Sequence, residues 1–90
     1  MAQTEHQSAP VGRVVEIAKL LIEYGADMNL PNRTGWTPLH KASYDGFADV
    51  VHLLLDHGAD VNAKKQDHWT ALHIAIRYSS FEIIKALLEN

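Results

Sequence analysis

The amino-acid sequence predicts an all-α solenoid, built from short helix–loop–helix units stacked side by side. Three observations predict it. The motif Thr37-x-Leu39-His40-x-Ala42 returns as Thr70-x-Leu72-His73-x-Ala75, an offset of 33 residues. A second motif, Gly25-Ala26-Asp27 with Asn29, returns at the same offset as Gly58-Ala59-Asp60 with Asn62. Between the motifs, apolar residues fall at helical spacing in stretches too short to bury themselves alone. Aligning 25–57 on 58–90 without a gap gives eleven identities in 33 positions, among them Trp36 with Trp69 and Leu55 with Leu88.

The first unit, about 1–33, is degenerate. Its second half, "RVVEIAKLLIEYGAD" (13–27), overlays "GFADVVHLLLDHGAD" (46–60), but "QTEHQSAPVG" carries no Thr-Pro-Leu-His motif. Residues 1–12 therefore read as a polar leader or a weak first helix, with Pro10 and Gly12 expected to break it. The repeat domain proper is expected over 13–90.

The second unit, about 34–66, is the clearest. Thr37 suits an N-cap and Pro38 the first helical position. A short helix should run to about Asp45, with Gly46 as its stop. A second helix should cover roughly 48–57, where Val50, Val51, Leu54 and Leu55 make one broad apolar face. Gly58, like Gly25 one unit earlier, is placed to end the helix with positive φ. The following "ADVNAKKQDHW" is turn chemistry.

The third unit, about 67–90, departs at several points. Gly35 becomes His68, Pro38 becomes Ala71 and Gly46 becomes Ser79, so its first helix should end differently. Lys41 becomes Ile74 and Ser43 becomes Ile76, which makes that helix more apolar and leaves core, interface and end-contact roles open for both. A helix pair cannot bury its apolar stripe alone, and stacking on a copy of itself solves the problem.

Composition narrows the function. The 90 residues are 47% apolar and 21% charged, which suits one folded domain rather than a disordered chain. With no cysteine, disulfides and thiolate metal sites are excluded. No apolar run approaches the roughly 20 residues of a membrane span, and the start lacks a signal-peptide pattern. The net charge is −3 and the eight Lys and Arg are scattered, so there is no basic face for nucleic acid.

"GWTPLHKAS" and "GADVNA" resemble the signature of the ankyrin repeat, and the resemblance covers about residues 13–90. It implies helix–loop–helix units joined by long hairpin-like loops, with a concave face and loop tips that grip partner proteins. It implies no enzymatic activity and no cofactor, and an intracellular place in cytoplasm or nucleus. It also implies that the motif Thr and His form a hydrogen-bonded pair that pins the first helix, a role carried here onto Thr37 with His40 and Thr70 with His73. The chemistry is sound on its own terms: a cap hydroxyl can bond one imidazole nitrogen while the other reaches a backbone group of the next unit.

A catalytic reading of His40 competes poorly. Ser43, Ser79 and Ser80 lie in or beside helix ends, Asp27 and Asp60 belong to the repeating turn, and the five glycines are spread singly. His52 and His57 are five apart, as are His68 and His73, which does not put two imidazoles on one helical face. No metal site is expected.

Removing the frame leaves the candidate partner contacts. At the loop tips these are Asn32, Arg33, Thr34 and Trp36, then Lys65, Gln66, Asp67, His68 and Trp69; at the outer ends of the first helices they are Tyr44 and Asp45, then Arg77 and Tyr78. They match the positions that resemble the family's partner-facing ones. The two tryptophans should lie about 10 Å apart if adjacent units pack at helix spacing, and each could anchor a partner or brace its own loop. The last helix, "FEIIKALLEN", looks like an internal unit's. An unshielded end suggests either a piece of a longer array or a homodimer through an end face.

Overall fold

The computed structural model describes residues 11–90. The expectations for residues 1–10, Pro10 included, lie outside them. The helices among the described residues are α1 (Val11–Glu23), α2 (Pro38–Asp45), α3 (Ala48–Asp56), α4 (Ala71–Tyr78) and α5 (Phe81–Leu88). The fold is all-α. First helices α2 and α4 pack in one layer, and second helices α1, α3 and α5 pack in another, each helix against its counterpart one unit on.

One expectation at the N-terminal end is corrected. Gly12 does not break a helix but lies inside the first turn of α1. Glycine costs a helix about 1 kcal/mol through backbone entropy, which weakens a helix without stopping it.

The core follows the apolar pattern. Leu39 and Ala42 of α2 meet Val50, Val51, Leu54 and Leu55 of α3, then Ala71 and Ala75 of α4 with Ile83, Ala86 and Leu87 of α5. Burying each Leu, Ile or Val contributes about 1.5–3 kcal/mol. Ile74 is buried at 1% exposure, whereas Ile76 is 65% exposed, which separates the two isoleucines of α4.

The two first helices end differently. Gly46 closes α2 in the left-handed region at φ 76°, and its N–H bonds Ala42 O. Ser79 is extended at φ −121°, and the next residue, Ser80, caps α5 by accepting from the Ile83 N–H. A serine pair thus replaces a glycine stop by starting the next helix at once.

The connecting loops are hairpin-like. The Asn32 N–H bonds Trp36 O at 2.8 Å, and one unit later the Lys65 N–H bonds Trp69 O at 2.9 Å. Below the tips, Asp27 and Asp60 each accept the backbone N–H two residues on, at 2.9 Å. Asn29 Oδ1 reaches the next unit and takes the Asp60 N–H at 2.8 Å.

Candidate functional site

The face carrying the candidate residues is formed by α2, α4 and the two loop tips. Each first helix is held at its start by a reciprocal cap. The His40 N–H donates to Thr37 Oγ1, and the Thr37 N–H donates to His40 Nδ1 at 2.9 Å. Thr70 and His73 repeat the arrangement. Pro38 sits at the first position of α2.

The far side of His40 joins the two units. Nε2 donates to two carbonyl oxygens of the next loop, Ala63 at 2.9 Å and Trp69 at 3.2 Å. Carbonyls only accept, so Nε2 carries the proton and Nδ1 is left to accept from Thr37. His40 is 1% exposed. Burial pushes its pKa below the ordinary 6.5, against weaker support for the charged form from the two carbonyls. With both nitrogens engaged, this imidazole has none left to move a substrate proton. Among the described residues no group of three His, Asp or Glu is placed to hold a metal ion.

The loop tips are locked together. The Gln66 N–H bonds Thr34 O at 3.2 Å, and its side-chain amide donates to Arg33 O at 3.0 Å. Gly35 makes this approach feasible: a Cβ there would lie 3.0 Å from Lys65 Cα and Gln66 N, and its φ is +85°. Asn32 Oδ1 ties its own tip by accepting from the Thr34 and Trp36 N–H groups.

Lys65 is the residue whose role sequence reasoning missed. It reads as an exposed tip residue, yet only 10% of its side chain is exposed. Its ammonium lies 4.7 Å from the Trp36 ring centroid and 6.0 Å from that of Trp69, and 2.7 Å from Asp67 Oδ2. Cation–π contacts of this kind are worth about 0.5–2 kcal/mol each. The hydrogen bond from Lys65 holds the Asp67 carboxyl below its usual pKa, helped by the Trp69 N–H. The available signal was a lysine four residues ahead of Trp69, the counterpart of Trp36 one repeat earlier.

The expected contact residues therefore divide. Trp36, Trp69, Gln66 and Asp67 are brought together at the tips, where each contacts the neighbouring unit or Lys65; both tryptophans are half-buried. Tyr44, Asp45, Arg77 and Tyr78 are exposed on the helix ends, and Arg33 at its tip. Trp36 meets Tyr44 edge-on at 5.6 Å, and Tyr44 meets Tyr78 at 5.0 Å, so one aromatic row crosses from unit to unit. Asp45 pairs with Lys41 at 3.5 Å, a largely exposed contact of little energetic weight. A groove of about 410 Å³ runs between the row and the second tip, with Arg77 on its wall. Gly25 and Gly58, with φ of 83° and 87°, turn the chain out of α1 and α3.

Stacked helix pairs with a Thr–His cap and an interlocked hairpin tip define a repeat protein that presents a continuous side-chain surface. The family model for ankyrin repeats, in three copies, matches residues 6–90, and the chain belongs to the ankyrin-repeat family. Ankyrin repeats generally mediate protein–protein interaction. Over 45 residues the chain is 49% identical to Notch-regulated ankyrin repeat-containing protein of Xenopus tropicalis, covering 50% of this chain and 39% of that protein. It is 47% identical over 45 residues to protein phosphatase 1 regulatory subunit 27 of Mus musculus, covering 50% of this chain and 29% of that protein. The match thus spans well under half the length of these relatives. Among the described residues no helix is long and apolar enough to cross a membrane.

Proposed function

We propose that this chain is a non-enzymatic protein-interaction module, gripping one partner protein with its loop tips and the concave face of α2 and α4. The observation that carries the reading is the aromatic row Trp36–Tyr44–Tyr78, whose two tyrosines are 45% and 55% exposed. Large, rigid, half-wet side chains are the usual anchors of interfaces, and a buried core role does not account for this exposure. Tyr44, Arg77, Tyr78, Asp45 and Arg33 make the direct contacts, while Trp36, Trp69, Gln66 and Asp67 hold the tips in shape beside them. A regulatory subunit among the matched relatives is in keeping with a role of holding another protein.

The test is to select ligands for the protein from a random peptide library and compare it with the Tyr44→Ala/Tyr78→Ala double variant. The proposal expects binding to fall at least tenfold, the scale of one lost anchor, with the helical circular dichroism unchanged. Unchanged binding would place the contact elsewhere, and simultaneous loss of helicity would make the row structural.

A second reading is favoured by one observation. Leu55 is 9% exposed beneath the following unit, but its counterpart Leu88 is 66% exposed, beside Phe81 at 78%. This end face would pair with a second copy, or with a further unit of a longer array. Sedimentation at micromolar concentration separates the two: a dimer dissolved by Leu88→Ser supports self-pairing, and a monomer removes it.

A further inference from the structure

We infer that the groove beside Tyr44 and Tyr78 takes an extended segment of the partner through an acidic side chain, received by Arg77. The inference rests on the binding reading above and names the chemistry of what is bound. Its first support is charge. Within the groove, Lys65 is already neutralised by Asp67 at 2.7 Å, and outside it Lys41 is paired with Asp45 at 3.5 Å. Arg77 lines the same groove and is exposed, and the ion pairs among the described residues do not include it. A chain of net charge −3 thus presents an uncompensated cation at its most aromatic site.

The second support is the balance of donors and acceptors. Arg77 offers a planar fork of N–H groups that matches a carboxylate bidentately. Tyr44 and Tyr78 line the same groove, and their hydroxyls can donate as well as accept. The carboxylate of Asp67, the acidic side chain of the groove lining, is already taken by Lys65 and the Trp69 N–H. A ligand rich in acceptors fits such a site, and a basic one meets an unpaired like charge.

The third support is size. About 410 Å³ accommodates a few side chains, the share that an extended segment inserts as it crosses an open groove. The aromatic row passes along one wall, so an apolar residue next to the acid packs on Tyr44 or Tyr78 while the acid reaches Arg77. An extended segment carrying an Asp or Glu beside a large apolar residue satisfies all three conditions.

The experiment uses the selected peptides directly. Random 12-residue peptides are panned on the protein and the enriched sequences read, with affinities taken from the tryptophan fluorescence of Trp36 and Trp69. The expected consensus holds an Asp or Glu adjacent to Leu, Ile, Phe, Tyr or Trp. Replacing that acid by its amide weakens binding on the order of tenfold or more, the scale of a charge-assisted hydrogen bond. Arg77→Gln produces the same loss, and in Arg77→Gln the acid-to-amide change costs nothing further. Lys85→Gln, which removes the same charge from α5 outside the groove, leaves affinity within about twofold, as a distant screened charge should. Peptides that depend on Tyr44 and Tyr78 but lack an acid, or bind Arg77→Gln as well as the wild type, would overturn the acidic assignment and leave the binding reading standing. Peptides indifferent to Tyr44 and Tyr78 would sink both.

Discussion

His40 and His73 hold the same place in two successive units and make the same cap with Thr37 and Thr70. Their surroundings differ in one respect. His40 has a following loop, whose Ala63 and Trp69 carbonyls receive its second nitrogen; His73 has no such acceptor among the described residues and is exposed. The contrast extends along both helices. Val51 is fully buried and Ile84 half-buried; Leu55 is covered and Leu88 is not; Ser43 is fully buried where Ile76 is exposed. A repeat motif therefore fixes local geometry by itself, but its energetic weight comes from the unit that packs on it, as expected of a stack held by nearest-neighbour interfaces.

The largest break in the comparison should come from truncating leucines. Leu55→Ala removes a side chain sealed under α5 and should cost about 2–4 kcal/mol in urea denaturation, the range for buried leucine. Leu88→Ala should cost less than about 1 kcal/mol, because most of that side chain already meets water. Next in size is the tip. Gly35→Ala forces a Cβ to within 3.0 Å of the next loop's backbone at a φ of +85°, and should cost about 1–3 kcal/mol. At its counterpart His68, a non-glycine residue at φ 71°, the change to Gly should leave stability level or raise it by about 1 kcal/mol, since left-handed backbone is strained for any side chain.

A smaller effect sharpens the comparison through pH. His40 is neutral in the fold with its pKa lowered by burial, while the unfolded chain takes up a proton near 6.5. Its contribution is therefore complete above about pH 6.5 and is lost as the pH falls through the folded value. The neighbours facing it, Lys65 and Asp67, act in opposite senses, Lys65 disfavouring the charged imidazole and Asp67 favouring it. Urea titrations across this window should show stability dropping with acid, and the slope should flatten in His40→Ala.

Much of the fold was legible because the period of 33 forces one reading onto every shared letter. Thr37 and Pro38 mark a helix start by local chemistry alone, and Val50, Val51, Leu54 and Leu55 mark a buried face by spacing. The N-terminal unit was less legible, because Gly12 in a first turn looks the same in sequence as Gly12 in a break. At the candidate site, sequence offered the residues but not their division of labour. Gln66 and Lys65 are as polar as Arg33 and Arg77, and nothing in their own spacing tells that the first two face the neighbouring tip. Subtracting the shared letters finds positions that differ between units. Positions that brace one unit against the next differ too, so Lys65 and Arg77 pass the same filter.

The most direct test of this account is a matched pair of urea denaturations at pH 7.5, His40→Ala against His73→Ala. The first leaves the part-buried Ala63 carbonyl without its donor and the Trp69 carbonyl with only the Lys65 N–H, opens a gap between units, and should cost about 2–4 kcal/mol. The second loses only an exposed cap and should cost about 1 kcal/mol or less. Equal losses at the two positions would contradict the claim that the packed neighbour, and not the motif itself, gives these histidines their weight.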